Sequence, residues 1–267
     1  MTKSLQATST DASVELDSIT KSYGPTTIIG DTSIHINDGE FVSLLGPSGC
    51  GKSTILKMIA GLAEPSTGTV RTGQKKVQGP GPDRGMVFQD HALLPWMTAR
   101  GNIDFGLRSA RPGLSKSERA EITRTHLEQV GLTDAADRRP ARLSGGMQQR
   151  VGLARAFAID PPIMLLDEPF GALDALTRRE LQLQLLGIWE ASQRTVVMVT
   201  HDVDEAILLS DRVLVMSNSP ESTIIADINV DLPRPRHDAS EDPAVETKTA
   251  ELRKEMQIGR ASCRERV

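Results

Sequence analysis

The chain has 267 residues, 38% of them hydrophobic and 25% charged, with a formal net charge of −4. That supplies one sizeable core, or a core with a subdomain, and leaves no global nucleic-acid footprint. Residues 1–13 are polar and rich in Ser and Thr, without the apolar centre of a signal peptide. No apolar run approaches the roughly 18 residues that span a bilayer, and Cys50 and Cys263 make no disulfide framework.

Residues 14–19 and 33–36 alternate like half-buried strands, with turns at Gly24-Pro25 and Asn37-Asp38-Gly39. Residues 40–45 are a short apolar run that reads as a buried strand, and 55–61 read as a helix with an apolar face and a glycine stop. Between them stands Gly46-Pro47-Ser48-Gly49-Cys50-Gly51-Lys52-Ser53-Thr54, the phosphate-loop pattern. Its glycines let backbone N–H groups wrap a polyphosphate, and the following helix adds the partial positive charge of its N-terminus. Lys52 is the point charge for the outer phosphates, and Ser53 the hydroxyl for Mg²⁺. Cys50, inside the loop, fits a reducing cytosol.

A further strand begins at 68–70, a Gly/Pro/Lys loop covers 73–84, and Met86-Val87-Phe88 is a brief strand ending at Gln89. From about 91 to 158 the pattern turns helical. Ser115 and Glu118 form a capping box, and Ile122, Leu127 and Val130 share one side before Gly131. Ser144, Gly145 and Gly146 open another helix, whose free N–H groups and serine hydroxyl can grip a second phosphate. Residues 163–166 form an apolar strand too short for a helix between Pro162 and Pro169, and it runs into Asp167 and Glu168. A carboxylate at such a strand end can hold Mg²⁺ through water, and the second can orient or deprotonate an attacking water. A helix over 173–189, a buried strand over 195–200, a helix over 202–209 and a strand over 212–216 complete a pattern that reads as a parallel α/β sheet. Residues 234–257 are Pro-rich, then charged, and read as surface. The last ten, 258–267 with Cys263, read as the in-frame translation of a common sequencing adapter and are expected not to be natural sequence.

Leu143-Ser144-Gly145-Gly146-Met147-Gln148-Gln149-Arg150 resembles the signature of the ATP-binding-cassette (ABC) ATPases, a resemblance running from about residue 14 to 235. It implies an α/β phosphate-loop NTPase (RecA-like) core with an antiparallel β subdomain and an inserted α-helical signature subdomain at about 91–158. The ATPase domain would cover 13–235, after a disordered segment 1–12 and before a surface segment 236–257. Tyr23 matches the aromatic that stacks on adenine, and Gln89 the residue that contacts Mg²⁺ and water and senses a transmembrane partner. Asp174, in Gly171-Ala172-Leu173-Asp174, matches a residue that communicates across a dimer, and His201 the one that contacts the γ-phosphate. The implied cofactors are ATP and Mg²⁺, with Ser53, Gln89 and Asp167 at the metal and Lys52, Gln89, Glu168 and His201 in catalysis. The phosphate loop of one copy and the Ser144-Gly145-Gly146 of a second would share each ATP, head to tail.

Residues 88–98 and 232–236 look like importer ATPases of the nitrate, sulfonate and taurine group, and 197–206 and 209–213 lean towards the nitrate branch. The implied partners are two transmembrane permease subunits and, indirectly, an extracytoplasmic solute-binding protein, with no nucleic acid. The implied location is peripheral, on the cytoplasmic face of the cell membrane. Two alternatives stand beside this reading: a soluble ABC ATPase acting on nucleic acid or ribosomes, and a nucleotide sensor without turnover.

Overall fold

A computed structural model describes residues 11–90, 92–171, 173–234, 236 and 243–262. In chain order the strands and helices are β1 (Val14–Tyr23), β2 (Thr26–Ile36), β3 (Phe41–Leu45), α1 (Lys52–Ile59), β4 (Thr67–Thr72), β5 (Lys75–Lys76) and β6 (Arg84–Val87). They continue with α2 (Ala99–Ala110), α3 (Lys116–Gln129), α4 (Gly145–Ile159), β7 (Ile163–Asp167), α5 (Ala175–Ser192), β8 (Thr195–Thr200), α6 (Val203–Leu209), β9 (Arg212–Met216), β10 (Ile224–Asn229) and α7 (Pro243–Ser262).

The strands β3, β7 and β8 are buried at every position. Such runs carry no polar face and are stable only where both faces of a sheet are covered, which is the setting of parallel strands. They form the middle of a six-stranded sheet of order β10-β9-β3-β8-β7-β6. Its pairings are parallel except for the edge strand β10. The alternating strands β1, β2 and β4 make, with β5, a separate antiparallel sheet of order β2-β1-β4-β5. The helices α2, α3 and α4 pack on one another as the helical subdomain. Ser115 closes both halves of its capping box with Glu118.

Some boundaries differ from the sequence reading. The strand expected at 33–36 is the second half of β2, because its cross-strand partners on β1 continue back to Tyr23. The loop expected over 73–84 contains β5 and the first residue of β6, and Phe88 lies beyond the end of β6. Leu173 and Asp174 precede α5, since Asp174 caps it.

The C-terminal segment, expected on the surface, is partly buried. Arg236 is only 6% exposed. Its guanidinium donates to the carbonyls of Ile207 (2.8 Å) and Val230 (3.0 Å). Arg234 stacks over Trp189 at 4.3 Å and donates to Leu209 O at 3.0 Å. The two arginines satisfy carbonyls that the end of α6 leaves without helical partners. Beyond them α7 buries Leu252 and Met256, one turn apart, against α6, β9 and β10. Residues 1–10, most of the segment expected to be disordered, lie outside the described residues, as do 237–242 and 263–267. Ala12 is buried.

Candidate active site

The register of the parallel sheet aligns three strand ends. Leu45 pairs with Thr200, and Asp167 pairs with Val199. The phosphate loop, the Asp167-Glu168 pair and His201 therefore leave the sheet on the same edge, side by side. A cleft of about 540 Å³ opens there, walled by Tyr23, Ile28, Ser48, Gly49, Gly51, Lys52, Ser53, Thr54, Gln89, Glu168 and His201.

Two glycines shape the loop. Gly49 sits at φ 79° with open space around it, and Gly51 at φ 96°, where an added Cβ would meet Ile29 Cδ1 at 2.2 Å. Both need the left-handed backbone that side chains disfavour. Lys52, the first residue of α1, is 5% exposed. Its ammonium donates to the carbonyls of Gly46 and Pro47, each at 2.8 Å. Gly46, Pro47 and Cys50 are not among the residues that wall the cleft, and the Cys50 side chain packs in the core.

Ser53 donates its hydroxyl to Asp167 Oδ1 at 2.7 Å, tying the start of α1 to the end of β7. Burial pushes the Asp167 carboxyl above its ordinary range; the Ser53 bond opposes this and the neighbouring Glu168 charge adds to it. Glu168 takes an unusual left-handed conformation, φ 46°. Gln89 Nε2 donates to its Oε2 at 3.2 Å, and His201 Nδ1 lies 3.8 Å from its Oε1. A carboxylate between an amide and an imidazole, facing a polyphosphate cradle, is placed to orient a water molecule.

Tyr23 ends β1 at the mouth of the cleft and is 55% exposed, with the Lys21 ammonium 4.9 Å from its ring centre. The free face suits a stacked base. Ser144, Gly145, Gly146 and Asp174 do not line this cleft. Ser144 caps α4, its hydroxyl accepting the Met147 N–H at 3.3 Å. It is exposed, and Gly145 has open space beside it. Asp174 caps α5 by accepting the Thr177 N–H at 3.0 Å, a bond that lowers its carboxyl below the ordinary range. Ala172, in the same loop, lies outside the described residues.

Three positions carry no role in the sequence reading, although Gln149 lies inside the signature and Glu205 inside the 197–206 stretch quoted above. Ile28 adds an apolar wall beside Tyr23. Glu205, 7% exposed on α6, accepts hydrogen bonds from Gln182 Nε2 at 3.0 Å and from the Thr200 hydroxyl. Thr200 Oγ1 in turn accepts the Asp202 N–H at 3.0 Å, so this buried acid fixes the backbone on both sides of His201. Gln149, 2% exposed on α4, reaches the Glu168 carbonyl at 3.2 Å. Only a known register between helix and strand could have singled these residues out.

A cleft of this make-up belongs to the phosphate-loop nucleotide hydrolases. The family model for ABC transporters matches residues 29–171, and the chain belongs to that family. It is 50% identical over 234 residues to the nitrate import ATP-binding protein NrtD of Synechococcus elongatus, covering 87% of this chain and 84% of that protein. It is 46% identical over 240 residues to the bicarbonate transport ATP-binding protein CmpD of Synechocystis, covering 88% and 85%. Among solved structures, the ATP-binding cassette MJ0796, dimeric, in a post-hydrolysis state with ADP and Pi, superposes with a TM-score of 0.75. That match is 34% identical and covers 82% of this chain and all of that one. The chain is an ATP-binding ABC-type ATPase.

Burial raises the Glu205 carboxyl above the ordinary value of 4.5, the Thr200 and Gln182 hydrogen bonds opposing the shift. The folded chain then holds this proton more tightly than the unfolded chain. That contribution to stability is complete below pH 4.5 and is lost as pH rises through the higher folded value. Glu205→Gln removes the titration. In thermal melts between about pH 5 and 8, the Tm difference should move in favour of the variant as pH rises. A difference that stays flat, or moves the other way, would contradict the assignment.

Proposed function

We propose that this ATPase is the energy-coupling subunit of a solute importer, and that two copies close head to tail on two ATP molecules. The observation that carries this reading is the division of the anion sites. Lys52, Ser53, Gln89, Glu168 and His201 line one cleft, with buried Asp167 bonded to Ser53 at its edge, while the exposed Ser144 end of α4 lies off it. A second copy can bring that helix end to the phosphates and complete the site.

In this mechanism the phosphate-loop amides and Lys52 bind the β- and γ-phosphates, and Tyr23 stacks on the base. Glu168 orients the attacking water and takes its proton, while Gln89 and His201 hold the carboxylate in line. His201 also contacts the γ-phosphate, and Ser144 of the opposite copy neutralises charge there. No cluster of three His, Cys, Asp or Glu side chains among the described residues is arranged to hold a metal. Ser53 and Asp167 instead offer two oxygens beside the phosphate loop, with Gln89 nearby, which fits Mg²⁺ because that ion keeps waters and takes phosphate oxygens. Bound there, Mg²⁺ would offset the phosphate charge during transfer.

The names of the relatives, one a nitrate importer component and the other a bicarbonate transporter component, support a small oxyanion as the solute. Nitrate, sulfonate, taurine or a related solute stays the reading that the sequence favours. Among the described residues no helix is long and apolar enough to cross a membrane, so spanning falls to permease subunits. The chain would sit on the cytoplasmic face, with a solute-binding protein delivering cargo outside. The loop before α2 is suited to dock the permease. Trp96 is 65% exposed there, while Asn102, fully buried, holds the loop through Leu94 N at 2.7 Å and Thr98 O at 3.0 Å. Exposed aromatics on a fixed loop are effective interface anchors. His91 of this loop lies outside the described residues.

Glu168→Gln should stop turnover while ATP still binds, and the closed dimer should accumulate, because an amide keeps the shape but is no base. Turnover within about threefold of wild type, a loss under 1 kcal/mol of barrier, would remove Glu168 from that role. Lys52→Ala and Ser144→Arg chains, each inactive alone, should recover activity when mixed, because one composite site then carries neither lesion. No recovery from proven heterodimers would count against head-to-tail assembly. Trp96→Ala should reduce transport and co-purification with the permease while ATP binding stays near normal; unchanged transport would refute the docking role.

A further inference from the structure

We propose that Gln149 is a positioning residue that links the signature helix of one copy to the catalytic carboxylate of that same copy. The inference rests on the role given above to Glu168. Three facts carry it.

First, Glu168 stands at φ 46°, a left-handed conformation that a residue with a side chain adopts only when its surroundings hold it there. What holds it is a small set of hydrogen bonds. Its N–H donates to Val199 O at 3.1 Å, and its carbonyl accepts from Gly171 N and from Gln149 Nε2, each at 3.2 Å. Second, among the described residues Gln149 supplies the one side-chain bond in that set, and it is 2% exposed, so losing the bond would take a buried amide donor from the Glu168 carbonyl. Third, Gln149 sits on α4, the helix that begins just after Ser144. Five residues of helix rise span about 7.5 Å. A single rigid turn and a half therefore carries both the anion-gripping N-terminus and the donor that fixes Glu168.

The consequence is mechanical. When Ser144 engages the opposite copy's nucleotide, the position of α4 is set, and with it the donor on the Glu168 carbonyl. With the donor in place the peptide stays left-handed, and the carboxylate points between Gln89 and His201. Without it the peptide can relax towards the ordinary helical region, which turns the carboxylate away. Catalytic readiness in one site is thereby tied to engagement at the other.

The test uses the purified full chain carrying Gln149→Met, which keeps the length and volume but has no donor. The expected result is a fall in kcat of tenfold or more, with KM for ATP and binding of a fluorescent ATP analogue within twofold of wild type. Amide exchange across residues 168–171 should accelerate about tenfold, while exchange in the phosphate loop stays unchanged. Should the Met variant not fold, Gln149→Asn serves, since it remains polar but is too short to reach the carbonyl. In a Glu168→Gln background, adding Gln149→Met should leave the ATP-closed dimer as abundant as before. Unchanged kcat or unchanged exchange at 168–171 would overturn the proposal. Loss of the closed dimer in the double variant would also overturn it, placing Gln149 in the service of the anion grip instead. Glu168→Gln alone retaining turnover would mark a failure of the underlying reading, recognisable because it needs no change at residue 149.

Discussion

The parallel pairing of β3, β7 and β8 is the constraint on which the rest depends. Three strands with no polar face must lie together inside the molecule, and their register fixes where each one stops. Leu45 opposite Thr200 and Asp167 opposite Val199 bring the phosphate loop, the paired carboxylates and the histidine to one line. A shift of one residue in either pairing would reverse which side chains face the sheet and misplace each group by more than a hydrogen-bond length.

On that line the buried charged groups already have hydrogen-bond partners within the protein. Lys52 is satisfied by two carbonyls of its own loop, and Asp167 by the serine that follows the lysine. A buried ammonium and a buried carboxylate without such partners would each be costly. The pairing also holds the loop in a preformed cradle, so little ordering remains for ligand binding to supply. Behind the histidine, Glu205, Gln182 and Thr200 form a second buried polar unit that joins α5, α6 and the end of β8. The two helices whose N-caps are Asp174 and Asp202 are thus tied to each other through side chains as well as through the sheet.

The helical subdomain meets this core through polar contacts at Glu168. Gln149 of α4 reaches the carbonyl of Glu168, and Gln89, in the turn that leads from β6 towards the subdomain, reaches its carboxylate. Both contacts converge on the one catalytic-face residue with a strained backbone. Strain gathered where two subdomains touch is a natural place for motion of one to be felt by the other, because small displacements there change a conformation that packing alone does not fix.

The sequence by itself determined the kinds of element and most of the chemistry. The glycine spacing of residues 46–54, the apolar run into Asp167-Glu168 and the serine-glycine start of α4 are local patterns, and local backbone geometry is what they encode. Their gathering around one cleft needed the register of the sheet, a long-range property that no short window contains. The same holds for Ile28, Gln149 and Glu205, whose significance comes only from what lies across from them. The burial of the C-terminal segment is hidden from the sequence for a related reason: Arg234 and Arg236 look like solvated charges until α6 presents unpaired carbonyls for them to meet. Composition tells how much charge a segment carries; only the fold decides whether a buried partner awaits it.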